Sequence, residues 1–228
     1  MFVGHIGAGL GLKKAAPRLN LGVLLLAALS ADLLLWALII LGAESILVPE
    51  NFRTGHYFTF NYPYSHSLAA TIAWSALAAA AVWFLLGAQT QRRFVLALIA
   101  GAAVFSHFVL DFLVHVPDLP LLSNDSPKVG LGLWRNMPAA LALELGIALA
   151  ALIVYLHAMR LSRPRTAVAV ALVALAGLGT AIGPYAASEP PPPMLQAASS
   201  FVTILIVVAL GFWIDGRLGL IAPSGDRG

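Results

Sequence analysis

Between residues 106 and 118 the chain reads SHFVLDFLVHVPD, two histidines and two aspartates inside an otherwise apolar run. At about 100° per residue on a helix, His107, Asp111, His115 and Asp118 fall within an arc of roughly 80°. An ionised aspartate at mid-bilayer costs about 2.5–3.5 kcal/mol even on the lenient insertion scale. A face carrying four such groups therefore lines a cavity or a polar bundle core. Pro117 loosens the last turn and sets Asp118 toward the membrane edge. The His107-x-x-x-Asp111 spacing places a nitrogen and an oxygen donor one turn apart on the same side of a helix. Such a pair can chelate a divalent ion, or it can form a hydrogen bond that joins two helices.

The elements that must position these groups follow from composition. Of 228 residues, 60% are hydrophobic and 10% charged, where a soluble domain carries about a quarter charged. Several apolar runs approach or exceed the roughly 20 residues that cross a bilayer as a helix. The expectation is a single all-α domain over 1–228, a polytopic membrane helical bundle of six transmembrane helices plus a short N-terminal half-helix. The spans read 19–42, 64–86, 92–118, 137–159, 166–186 and 195–214. The apolar run after Lys13, Lys14 and Arg18 continues through Leu41, too long for a cleaved leader, and reads as a retained helix. No cysteine is present, which excludes disulfides, thiolate metal sites and thiol catalysis.

Lys and Arg sort by side. Ten of the thirteen fall at one end of a six-span arrangement, so the positive-inside rule puts both termini in the cytoplasm. The net charge of +3 is thus spread along a membrane face and forms no nucleic-acid patch. The stretch HYFTFNYPY, 56–64, then faces outward and reads as an interfacial aromatic belt. MFVGHIGAGLGLKK is too short to span. It can lie on the surface as an amphipathic helix, or dip in as a half-helix with Met1 deepest and Lys13 and Lys14 at the surface. Glycines 7, 9 and 11 would allow the close packing that the second arrangement needs.

Depth adds to the case. Counting about 1.5 Å per residue, Asp32 lies roughly 15 Å below the outer surface, His107 about 16 Å, and Asp111 and Glu144 about 10 Å. An inserted N-terminal segment carries His5 about 12 Å above the cytoplasmic face, near Asp32 and His107 in a core about 30 Å thick. Five ionisable groups from four segments share one layer. His66 enters from the outer end of the second span, either as an interfacial histidine or as a further ligand. Ser65 beside it is a candidate helix cap. His115 can orient a carboxylate or move protons, and Glu144 is a general base or a buried hydrogen-bond partner. No nucleophile elbow, phosphate-binding P-loop or dinucleotide glycine fingerprint occurs.

The order His5, Asp32, Ser65-His66-Ser67, then His107-x-x-x-Asp111 resembles the YdjM-like family of bacterial inner-membrane proteins, described as metal-dependent hydrolases. The similarity covers roughly residues 1–120, the metal-site half; 121–228 matches as apolar supporting helices. It implies His5, Asp32, His66, His107 and Asp111 as metal ligands, and an inner-membrane location. More remotely, the order is similar to soluble zinc-dependent phospholipase C and P1-type nucleases, which cut phosphoesters with clustered metals. Asn61-Tyr62-Pro63-Tyr64 stands where the family has His-Arg-Gly, and Ala31-Asp32 where it often has an acidic pair.

The reading that follows is a membrane-embedded hydrolase of a lipid or lipid-linked phosphoester acting through a metal-activated water, with membrane lipid, or a lipid-like or anionic substrate, as partner. It uses a divalent metal, Zn²⁺ on the His/Asp mix, with Glu144 or His115 moving the proton. The alternatives are an ion-coupled transporter that uses the same cluster for protons or cations, and a scaffold whose polar groups fix helix register. The oligomeric state is left open.

Overall fold

The computed structural model describes residues 1–216, apart from 89, 187 and 188. The tail arginines counted toward a cytoplasmic C-terminus, Arg217 and Arg227, lie outside the described residues.

The chain is an all-α bundle of membrane-spanning length. In order come α1 (Phe2–Leu12), α2 (Leu21–Ala28) and α3 (Ser30–Ile40). Strand β1 (Ser45–Leu47), a one-turn helix α4 (Phe52–Gly55) and β2 (Thr59–Asn61) follow. Then come α5 (Leu68–Leu85), α6 (Arg93–Val114), a two-residue pairing of β3 (Leu119–Pro120) with β4 (Lys128–Val129), α7 (Met137–Ala158), α8 (Arg163–Ile182) and α9 (Pro193–Asp215). Among the described residues five helices, α5 to α9, are long and apolar enough to cross a membrane, and α2 with α3, bent by 56° to each other, pass the same test as a pair. The short strands are antiparallel hairpins over one end of the bundle, called the hairpin end below.

The first span was expected to be continuous over 19–42, and it is broken. Asn20 caps α2 by accepting from the Gly22 amide at 2.7 Å. Leu29 then leaves helical geometry (φ −102°, ψ 4°), closing α2 and opening α3. Neither proline nor glycine marks the break. It leaves the last carbonyls of α2 without partners on their own helix and puts Asp32 in the first turn of α3, where the helix dipole favours an anion. Such irregular backbone is tolerated at membrane depth where it lines a cavity.

Helix α1 does not lie on the surface. Its 11 residues reach about 16 Å, half of a bilayer core, and it sits inside the bundle against α2, α6, α7 and α8. Val3, Ile6 and Leu10 join the largest apolar cluster, with Leu25, Leu152, Leu172 and Ile204. Lipid is as apolar as these side chains, so close packing rather than water exclusion holds the helix there. At Gly7 a Cβ would stand 3.0 Å from the Ala148 Cα and 3.2 Å from its amide nitrogen, both on the facing backbone. Gly7→Leu is therefore expected to cost about 1–3 kcal/mol by overpacking, read as a lower melting temperature in detergent.

Lys13 departs from its expected place at the surface. It is fully buried, and its Nζ donates to Asp215 Oδ2 at 2.7 Å and to the Leu19 carbonyl at 2.5 Å. Lys14 remains exposed.

Candidate metal centre

Each polar group reaches the bundle interior from a different element. Helix α1 brings His5, the first turn of α3 brings Asp32, and α6 brings His107 and Asp111 one turn apart. His66 arrives on the turn before α5. That helix begins at Leu68 and is capped by Ser67, whose Oγ accepts from the Ala70 amide at 3.0 Å. Ser65, the expected cap, does something else, described below. All five expected ligands meet. His5 stacks on His107 with ring centroids 3.6 Å apart and planes at 10°. His5 Nε2 lies 3.1 Å from Asp111 Oδ1, and the Met1 amine 3.3 Å from the same oxygen.

Hydrogen bonding fixes which ring nitrogens face inward. His107 Nδ1 lies 2.8 Å from the Ala28 carbonyl, one of those released by the break at Leu29. A carbonyl only accepts, so Nδ1 carries the proton and Nε2 is the inward atom. For His66 the logic runs through two partners. Ser65 Oγ donates to Glu44 Oε2 at 2.6 Å, since an ionised carboxylate only accepts. Ser65 Oγ then accepts from His66 Nδ1 at 2.8 Å, again leaving Nε2 inward. The two inward nitrogens face each other at 3.2 Å. In the neutral imidazoles both are lone pairs, and lone pairs do not approach so closely without a cation or a proton between them.

The carboxylates complete the cluster. His107 Nε2 lies 3.2 Å from Asp111 Oδ2 and 3.7 Å from Asp32 Oδ1. His66 Nε2 lies 3.7 Å from Asp111 Oδ2 and 3.6 Å from Asp32 Oδ1. Ligands held about 2.0–2.2 Å from one tetrahedral ion stand roughly 3.3–3.6 Å from one another. The observed spacings bracket that range. Two triads, His66–His107–Asp111 and His5–Asp32–His107, each bring their donor atoms within 4.8 Å of one another, with His107 common to both. His5 Nδ1 is buried without a hydrogen-bond partner, a further sign that this donor set is incomplete without a cation. The residues therefore fit a divalent metal ion, and neutral imidazole with carboxylate suits zinc, manganese or iron by ligand type.

His115 ends α6 as its C-terminal cap. Its Nδ1 lies 2.9 Å from Asp118 Oδ1 and 3.2 Å from the Tyr62 hydroxyl, and its Nε2 points back to Asp111 Oδ1 at 3.8 Å. Asp118 lies past the end of the spanning helix, as the loosened last turn implied, and is buried there beside a histidine. The aromatic-belt reading of 56–64 fails for two of its members. Phe60 and Tyr62 pack inward, and burial pushes the Tyr62 phenol well above the usual tyrosine range, so it stays protonated. Glu144 is buried behind α1, with Cγ 3.8 Å from where a Cβ on Gly4 would stand and Oε2 unpartnered.

A cavity of about 340 Å³ opens beside the cluster. Asp32, His66, Asp111 and His115 line one wall. Thr180 of α8 and Gln196, Ser199, Ser200 and Thr203 of α9 line another part of the cavity. Glu144 is not among the lining residues. The supporting helices of 121–228 thus contribute directly to the site.

Glu44 was missed by sequence reasoning. It is buried, accepts from the Tyr64 and Ser65 amides at 2.9 and 3.0 Å, and orients His66 through Ser65. Its only signal was an acidic residue just past the end of a span. Glu44→Ala is expected to lower metal affinity about 10–100-fold, the usual effect of losing an outer hydrogen-bond partner of a ligating histidine. Competition with a chelator measures it. No family model, curated protein or solved structure matches the chain.

Proposed function

We propose that this chain is a membrane-embedded, metal-dependent hydrolase of a lipid or lipid-linked phosphoester. One observation carries the reading: the Nε2 atoms of His66 and His107 face each other at 3.2 Å between two aspartates, with each Nδ1 already donated elsewhere. That arrangement calls for a cation or a proton between the nitrogens, and the spacing of the two flanking aspartates favours the cation. Asp32, His66, His107 and Asp111 would hold it, with His5 beside them. A bound divalent ion supplies Lewis-acid activation of water and of a phosphoryl oxygen.

The chain's own residues support the rest. Asp118 fixes His115 with the proton on Nδ1, so Nε2 is free to take a proton in the cavity and return it to a leaving group. Tyr62, protonated, holds the same pair in place. Glu144, the other expected proton carrier, stands away from the cavity, which favours His115 for that role. Apolar walls from Leu35, Trp36 and Ile204 limit water around the reacting group. The resemblance to the YdjM-like family supports the same ligand set. Basic residues crowd the end opposite the hairpins, at Lys14, Arg18, Arg92, Arg93 and Arg163. That asymmetry supports a multi-pass membrane protein with its N-terminal side cytoplasmic and its hairpin end outside; a bacterial inner-membrane location is what the YdjM-like resemblance implies.

Elemental analysis of the purified protein tests the proposal. Stoichiometric zinc, manganese or iron is expected in the wild type and is lost in the double variant His107→Ala/Asp111→Ala. A metal-free wild type, with variants that remain folded, would sink the reading. Proton-gradient-dependent flux in liposomes would then favour an ion-coupled carrier.

A further inference from the structure

The α8 and α9 side of the same cavity carries chemistry of its own. Thr180 Oγ1 is buried and has no hydrogen-bond partner. Gln196 Nε2 donates to Ser200 Oγ at 2.9 Å, which leaves the Gln196 carbonyl and the Ser200 proton available. The Ser199 and Thr203 hydroxyls donate to carbonyls of their own helix at 3.1 and 2.8 Å, so their oxygens remain acceptors. Donors and acceptors are thus mixed along one strip. Among the described residues no lysine or arginine lines the cavity. Beyond the cation itself, the one lysine, arginine or amine charge a pyrophosphate or other polyanion would meet among the described lining residues is the Met1 amine, which already lies 3.3 Å from Asp111 Oδ1.

Several of the aromatic residues nearby already pack on one another. The Trp134 ring lies against His115 at 3.9 Å between centroids and stacks with Tyr57 at 5.9 Å. Phe60 packs against Tyr62 at 5.3 Å and against Trp36 at 6.1 Å. What the wall offers is hydrogen bonding to a neutral group.

The cavity is also open sideways. Ser199 and Thr203 line it and are exposed, and nothing stands within 4 Å of a Cβ built on Gly179 beside it. Along α9 the strip runs from roughly 5 Å to roughly 15 Å from the helix start, from the polar boundary into the hydrocarbon. At about 340 Å³ the space is near the lower end of small-molecule sites, enough for a head group but not for acyl chains.

We propose that the Thr180–Gln196–Ser200 wall recognises a neutral, polyhydroxylated head group, such as glycerol, inositol or a sugar, on a lipid phosphodiester reached through the bilayer between α8 and α9. The hydroxyls bind this wall, the phosphodiester lies toward the His/Asp cluster, and the tails stay in lipid. This deepens the hydrolase reading and rests on it for the placement of the phosphodiester alone.

The test is native mass spectrometry of the full chain titrated with four probes: dihexanoyl phosphatidylglycerol, phosphatidylcholine and phosphatidic acid, and glycerol phosphate without acyl chains. Phosphatidylglycerol is expected to bind at least about tenfold tighter than the other three, the worth of one or two hydrogen bonds. Gln196→Ala/Ser200→Ala should abolish that preference. Thr180→Val, which only removes an unpartnered hydroxyl and leaves the fold intact, should weaken it. Phosphatidic acid or phosphatidylcholine binding as tightly as phosphatidylglycerol would overturn the head-group assignment. Glycerol phosphate binding equally would overturn the lipid assignment. So would unchanged preference in both folded variants. Metal content measured on the same samples separates the two proposals. Selectivity without metal defeats the hydrolase and supports this wall as a binding site; metal without selectivity does the reverse.

Discussion

Asp111→Asn is expected to empty the metal centre, while Asp118→Asn leaves it filled and stops turnover. Asp111 stands within 3.1–3.8 Å of four imidazoles, those of His5, His66, His107 and His115. The Asp111→Asn change keeps the shape and removes the charge that both holds a cation and balances the histidines. Loss of a direct ligand should exceed the roughly 10–100-fold cost of an outer partner, so affinity should fall by about 10²-fold or more. Asp118 touches only the His115 side, at 2.9 Å from Nδ1. In Asp118→Asn the new amide can present an N–H there and reverse the tautomer, turning Nε2 into a donor. Phosphoester cleavage should then drop by about 10²–10⁴-fold at unchanged metal content. Elemental analysis and turnover on the same preparations give both readings. Equal metal loss in both variants would remove the distinction between holding the ion and moving the proton.

Lysine 13 is the second position of large expected effect, and it acts on stability. Lys13 and Asp215 are both buried, 2.7 Å apart, and Asp215 Oδ2 also lies 3.3 Å from the Leu21 amide. Three chain segments therefore meet at one carboxylate. Lys13→Ala leaves Asp215 as an uncompensated buried charge, which typically costs about 3–5 kcal/mol. Replacing both partners by apolar residues of similar volume should recover most of that loss, because the pair itself is worth little against a packed apolar contact. Thermal unfolding in detergent of the single and double variants checks both arms. A single variant as stable as the wild type would mean that water reaches Asp215.

The candidate site was largely legible because its strongest signals are local or countable. His107 and Asp111 share a helix face by spacing alone. Asp32 and His5 enter through depth, which needs only residue counts and a membrane thickness. What could not be read depends on partners far apart in the chain or on backbone that no residue type announces. Lys13 reads as a surface charge until Asp215, 202 positions away, is seen beside it. Glu44 reads as a loop carboxylate because nothing in its spacing says that the chain returns to place Ser65 against it. The break at Leu29 has no proline or glycine to mark it, yet it provides the Ala28 carbonyl that fixes His107. Tyr62 sits among residues typical of a membrane boundary, and only the hairpin that carries it explains why it turns inward. The fold was legible for the same reason as the His/Asp cluster. Long apolar runs declare spans, while the tilt and breaks within them come from packing.

The buried half-helix has a consequence for biogenesis. Phe2–Leu12 leaves the ribosome before every helix it touches, yet it packs most heavily on Met137–Ala158, a segment made more than a hundred residues later. It is too short to be held by lipid as a span. Until its neighbours have been inserted it has no groove to occupy. His5 therefore joins the cluster as a late step of assembly, when a newly made helix closes on a much earlier one, and loading of the proposed cation would report on completion of the bundle.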